Sequence, residues 1–155
     1  MSAMSDVLEN KLVDWLLRGQ AIGLNGASAA AGTGPTTLYV GLLTAAPSDA
    51  GGGTEVSGGS YARASIASSL ANWAGTQGAG TTTASSGTGG QTSNNGAVAF
   101  PAPTANWGSI GHFGIYDASS GGNLLVWGAL AVAKTVNNGD AAPQFNAGAL
   151  TLTFG

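Results

Sequence analysis

Residues able to do chemistry are few in this chain, and they are scattered. The one histidine, His112, sits within Gly111-His112-Phe113-Gly114. A serine–histidine–aspartate relay needs three groups aligned through hydrogen bonds. Serines are so abundant here that finding some carries no signal, and His112 reads as a structural or surface residue. Asp49, Glu55, Asp117 and Asp140 fall in loop sequence. Acid–base work by paired carboxylates needs two of them close in space, which their spacing does not predict. Asp117 and Asp140 fit better as acceptors of turn N–H groups. The stretch Asp49 to Glu55 is acidic and glycine-rich, but it lacks the alternating oxygen ligands of a calcium loop. Gly78-Ala79-Gly80 and Gly87-Thr88-Gly89-Gly90 have no preceding strand, following helix or Gly-Lys-Ser/Thr, so they are not phosphate cradles. The expectation is therefore no catalytic, cofactor-binding or metal-ligating residue and no cofactor. Trp73, Trp107, Trp127, Tyr39, Tyr61 and Tyr116 have the ring faces that stack on sugars, although core packing is the commoner fate of such side chains.

The elements that must carry these residues are mostly strands. Ser5 to Arg18 alone has a helical signature: Ser5 as cap, Asp6 in the first turn, and Leu8, Leu12, Trp15 and Leu16 along one face, with Val13 and Leu17 widening the stripe. Asp14 and Arg18 are spaced to pair, and Gly19 stops the helix. From Thr36 the pattern changes. Leu38 to Leu43 is apolar on both faces, as in a central strand, and Pro47 ends it. Tyr61 to Ile66, Ala97 to Phe100, Trp107 to Tyr116, Leu124 to Trp127 and Ala131 to Val136 read as further strands, with Asn138-Gly139 as a tight turn. Ala149 to Phe154 alternates Leu150, Leu152 and Phe154 against Thr151 and Thr153, giving a half-buried last strand. Ala74 to Asn95 is low-complexity Gly/Thr/Ser/Ala with no apolar anchor, long for a structureless loop. The fold expected is mainly β: an antiparallel β-sandwich or barrel-like domain preceded by one short N-terminal helix. Residues 1–19 form that helix, packing on the domain or on a neighbour. Residues 36–155 form the β-rich domain, with a flexible Gly/Thr/Ser-rich insertion at 74–95.

Composition narrows the function classes. The 155 residues suit one domain. Only 7% of them are charged, against about 25% in an ordinary soluble domain. A surface so short of charge is poorly protected against association, which favours a chain whose natural state is an assembly. Lys11, Arg18, Arg63 and Lys134 are scattered, leaving no basic patch for phosphates, and nucleic acid is not an expected partner. Cysteine is absent. No apolar run reaches the roughly 18 residues that span a bilayer, and no secretion signal is visible, so neither membrane nor export is expected.

Two stretches resemble a known family. They are Thr37-Leu38-Tyr39-Val40-Gly41-Leu42-Leu43-Thr44 and Gly53-Thr54-Glu55-Val56-Ser57-Gly58-Gly59-Ser60-Tyr61-Ala62-Arg63. Further on, Asn94-Asn95, Val98-Ala99-Phe100-Pro101, Ala105-Asn106-Trp107-Gly108, His112 to Asp117 and Gly121 to Leu125 continue the likeness. The chain is similar to small tailed-bacteriophage virion structural proteins usually labelled phage tail fibre proteins, whose matching residues look like fold determinants rather than a functional motif. Residues 27–34 and 74–91 look like insertions relative to shorter relatives. The resemblance implies a non-enzymatic virion component, such as a tail fibre, collar or capsid decoration protein, made in the bacterial host cytoplasm. It would act by self-assembly and packing against capsid, collar or tail proteins, as a homo-oligomer such as a trimer. Leu8, Leu12, Trp15 and Leu16 are the expected assembly contacts. The alternative is a glycan- or host-receptor-binding module of the tail using Trp73 and Trp107.

Overall fold

Backbone hydrogen bonding and burial divide the chain into two interleaved units. The computed structural model describes residues 4–23 and 34–154. One unit contains residues 1–37, 67–97 and 145–155, the other residues 38–66 and 98–144. The fold is mainly β, with antiparallel pairing and one short N-terminal helix.

In the first unit, α1 (Asp6–Leu12) is capped by the Ser5 side chain, which accepts from the Leu8 N–H. A π-helical turn, Val13–Leu17, continues it. The chain turns at Gly19, φ +65°, where a Cβ would stand 2.6 Å from the Ser68 carbonyl oxygen. Later in the unit, β4 (Gln91–Ser93) pairs antiparallel with β9 (Thr151–Thr153), with Thr92 opposite Leu152. Asn94 extends this pairing. Its side-chain oxygen accepts from the Leu150 N–H at 2.9 Å, and its amide donates to the carbonyls of Gly96 and Asn146.

The second unit is built on a sheet in the order β2–β1–β6–β7, with β3 also on β1. Its strands are β1 (Thr37–Ala45), β2 (Thr54–Glu55), β3 (Ala64–Ala67), β6 (Gly108–Tyr116) and β7 (Leu124–Val136). Between β4 and β6 lies β5 (Val98–Ala99), which pairs with β8 (Gln144–Phe145). Val40, Leu42 and Leu43 on β1 and Ile110, Phe113 and Ile115 on β6 are buried core residues, so both central strands read apolar in sequence. The two runs expected as separate strands after Leu124 form one, β7, with irregular register against β6. The sheet stays open, since β7 pairs only with β6 among the described residues; the barrel-like alternative is not realised.

One polar cluster ties the sheet together. Arg63 grips Glu55 with both ends of its fork, Nε to Oε1 at 2.8 Å and Nη2 to Oε2 at 2.7 Å. Its Nη1 donates to the carbonyls of Ala118 and Gly121, holding the loop between β6 and β7. The guanidinium lies 3.4 Å from the centre of the Tyr116 ring, a cation–π contact that desolvation strengthens. Room for that ring comes from two glycines opposite each other, Gly41 on β1 and Gly114 on β6. A Cβ on either would come within 2.9 Å of the Tyr116 ring. Tyr61 fills a gap in the ladder: its hydroxyl accepts from the Leu42 N–H and donates to Glu55. Its ring packs edge-on against Trp107, with centres 5.3 Å apart.

The turn expectations hold. Asp117 accepts from the N–H and side chain of Asn123, which holds its carboxyl below the usual carboxylate range. Asp140 accepts from the Asn137 N–H beside Gly139, φ +82°.

Two outcomes follow. Arg63→Lys, which keeps the charge but loses the fork, lowers unfolding free energy by roughly 3 kcal/mol in denaturant titration. That is the low end for a buried pair, because Glu55 keeps 27% of its side chain in water. Burial, with Glu55 alongside, raises the phenol pKa of Tyr61 and Tyr116 above the ordinary 10.0. The folded state thus retains protons that the unfolded state releases, and this stabilisation is complete below pH 10 and lost as pH rises beyond it. In an alkaline titration the Tyr61 phenol ionises together with loss of the circular-dichroism signal, not ahead of it.

Candidate functional site

The N-terminal helix encloses polar and charged side chains beside part of its apolar stripe. The side chains enclosed by the first unit are Glu9, Asn10, Val13, Asp14, Leu17 and Arg18. They recur every fourth position in two adjacent rows, the wide spacing of a helix that includes a π turn. Leu8, Leu12, Trp15 and Leu16, the expected assembly contacts, flank this face, while Val7 is 64% exposed. Val13 and Leu17 are thus fully enclosed together with the Asp14–Arg18 pair, and the neighbouring row of Leu8, Leu12, Trp15 and Leu16 is largely but less completely covered.

The Gly/Thr/Ser-rich segment makes this possible. Arg18 is fully buried, yet its guanidinium is answered on all sides. It pairs with Asp14, and it donates to the carbonyls of Trp73 at 3.2 Å and Thr83 at 2.6 Å and to the Ser85 hydroxyl. Asp14 also accepts from the N–H and hydroxyl of Ser85, at 2.8 and 2.6 Å. Asn10 donates to the Gly87 carbonyl and accepts from the Thr76 hydroxyl. Thr76 bonds in turn to the Ser86 backbone. A segment without apolar anchors is held by hydroxyls and carbonyls closing on three helix side chains. Glycine matters at Gly90, where a Cβ would stand 2.3 Å from the Phe154 carbonyl oxygen and 3.0 Å from Glu9 Cβ.

The other residues singled out in the sequence lie apart from this surface. Trp73 is wholly enclosed in the first unit, and Trp107 is 5% exposed in the second, donating through Nε1 to the Gly59 carbonyl. Neither indole presents a ring face to solvent for a sugar to stack on. His112 lies on β6 between Leu43 and Ala129, and its Nδ1 is enclosed with no hydrogen-bond partner among the described residues. Asp49 is exposed, whereas Glu55 is committed to Arg63. No group of three or more His, Asp or Glu side chains among the described residues is placed to hold a metal ion. A pocket of about 330 Å³ opens beside Arg63, lined partly by Ser57, Ala62, Ser119 and Ser120. The guanidinium already serves Glu55, Ala118 and Gly121, so the pocket holds no free charge for a ligand. Of residues 27–34, nearly all lie outside the described residues. No described helix is long and apolar enough to cross a membrane.

The spacing of Asp14 and Arg18 showed their pairing but not the partners waiting in residues 73–87, and the Tyr61 to Ile66 run gave no sign of Glu55 against Tyr61 and Arg63. The Gly58-Gly59 turn between Glu55 and Tyr61 was the available signal for the second.

The helix's orientation sets an order of effects on stability. Asp14→Ala strands a buried guanidinium and costs about 3–5 kcal/mol. Leu12→Ala, at a largely but not fully covered position, costs less than the roughly 2–5 kcal/mol of a fully buried leucine. Urea unfolding followed by tryptophan fluorescence checks the ranking.

Comparison with known proteins comes down to one family. The sequence profile described as podophage GP4 fiber I protein gp80 matches residues 3–153. No curated protein matches the chain.

Proposed function

This chain belongs to that family of phage fibre proteins, which makes it a structural component of the virion associated with other virion proteins, and from this premise we propose that it works without catalysis, by packing. Its N-terminal helix docks on a neighbouring virion protein through Leu8, Leu12, Trp15 and Leu16. The observation that carries this reading is the outer row of the helix: Leu8, Leu12, Trp15 and Leu16 keep some exposure where Val13 and Leu17 are fully enclosed, and Val7 is 64% exposed. An isolated soluble domain gains most by turning its whole apolar stripe towards its own core. A row left incompletely covered suits a surface that is closed in the assembled particle. The low charge of the whole chain supports the same reading, since weakly charged surfaces associate readily.

Within the particle, the fibre position fits the family's description best, with collar and capsid-decoration positions as the alternatives. Receptor binding through Trp73 and Trp107 draws no support from ring placement, because both indoles are buried.

The test is incorporation into particles. Leu12→Asp and Trp15→Ala, each checked as folded by circular dichroism, reduce the copies retained on purified phage. Losing one aromatic anchor at about 2 kcal/mol weakens docking roughly thirtyfold. Quantitative mass spectrometry of purified virions reads the effect. Full retention of both variants would sink the helix as anchor.

A further inference from the structure

The sheet of the second unit ends on β7, and among the described residues β7 pairs with β6 alone. Its outer side offers main-chain N–H and C=O groups to solvent. Natural sheet edges are usually kept short, charged or broken by proline. β7 has thirteen residues, no proline and a single charge, Lys134. It also carries three of the four large apolar side chains that stand exposed among the described residues: Leu125 at 36%, Trp127 at 38% and Val132 at 80%.

An edge of this kind is answered group for group only by another extended strand. Within this chain, β1 and β6 are paired on both sides. The remaining described strands run from two to four residues. A second copy offers its own β7, a long described strand likewise free on one side and carrying the same exposed apolar side chains. We infer that two copies of this chain associate by pairing their β7 strands antiparallel across a two-fold axis, joining two open sheets into one. This rests on the structural reading above and adds to it a partner and a contact.

The strand's irregularities fix the register. β7 follows β6 residue for residue from Val126 to Ala129. Irregular register interrupts it at Leu125 on one side and over Leu130 to Ala133, opposite Gly111, on the other. Bulges end regular pairing, so the second copy engages the segment around Trp127. Residues directly opposite share a face of the sheet. An axis at Trp127 sets that ring against its mate and Leu125 across from Ala129, bringing together the more exposed side chains of the segment. A slip of one residue would oppose exposed with half-buried positions. Lys134 lies well to one side of the axis, so the two lysines fall at opposite ends. Parallel pairing would set them side by side, where like charges repel.

The chain lacks cysteine, so one introduced thiol reports one position. Trp127→Cys places two thiols on the axis at the Cα separation of about 4.5–5.5 Å found between opposed antiparallel residues, within disulfide reach. The purified full chain is followed by sedimentation velocity across concentrations, and Trp127→Cys and Val132→Cys are oxidised side by side. The expected result is a species of twice 15.0 kDa that grows with concentration. Covalent dimer forms about tenfold faster at Trp127→Cys than at Val132→Cys. Ala129→Lys, at an exposed position, abolishes the dimer while far-ultraviolet circular dichroism and the unfolding midpoint stay unchanged. A chain that remains monomeric throughout, a trimer, or equal cross-linking at both thiols overturns the pairing. These measurements use no particle, so their failure is distinct from retention of Leu12→Asp and Trp15→Ala on virions.

Discussion

A guanidinium taken out of water destabilises a fold by several kcal/mol unless a carboxylate and further acceptors meet its N–H groups, and both arginines of this chain sit at such a point. Arg18 and Arg63 have side chains only 0% and 6% exposed. Each pairs with a carboxylate, and each then spends its remaining donors on backbone carbonyls of a distant segment. Arg18 takes those of Trp73 and Thr83; Arg63 takes those of Ala118 and Gly121. Carbonyls in irregular segments are the groups that a sheet leaves without partners. A chain with so few charges uses two of its four cations to satisfy them, one in each unit.

The two units are held by different means. The second has an apolar core on β1 and β6, with the Arg63 cluster at its margin. The first encloses most of the buried polar and charged residues found among those described, including Glu9, Asp14, Arg18 and Asn94. Its apolar interior is modest, with Val13, Leu17, Trp73, Leu150 and Leu152 among its members. Buried polar networks demand complete satisfaction, and once satisfied they select one arrangement sharply. The Gly/Thr/Ser-rich segment has one route around the helix because Thr76, Ser85 and Gly87 each have a specific partner there.

How far the fold was legible follows from this difference. Where burial of apolar side chains decides the structure, periodicity reports it: β1, β6 and the Leu150–Leu152 alternation were readable, as were the turns at Asp117 and Asp140. Where hydrogen bonds decide it, composition misleads. Residues 74–95 look like filler because threonine, serine and glycine carry no period, and their order depends on Arg18 and Asn10 far away in sequence. The helix was legible only in part for the same reason. An amphipathicity rule assigns its apolar stripe to the interior, where Val13 and Leu17 are found, but the rule does not report that Asn10, Asp14 and Arg18 are enclosed beside them. The β7 edge was readable as strand but not as edge, because strand order is set by pairing and leaves no trace in a single strand's residues.

The polar interior of the first unit also bears on temperature. Exposing apolar surface on unfolding raises heat capacity, whereas exposing polar surface lowers it. A unit closed by hydroxyl–carbonyl bonds around Asp14 and Arg18 therefore has a flatter stability curve than one closed by Leu42, Phe113 and Ile115. Warming and cooling change its hold on the helix less than they change the strength of the apolar sheet. The part of this chain that carries the N-terminal helix is thus the part whose cohesion varies least with heat.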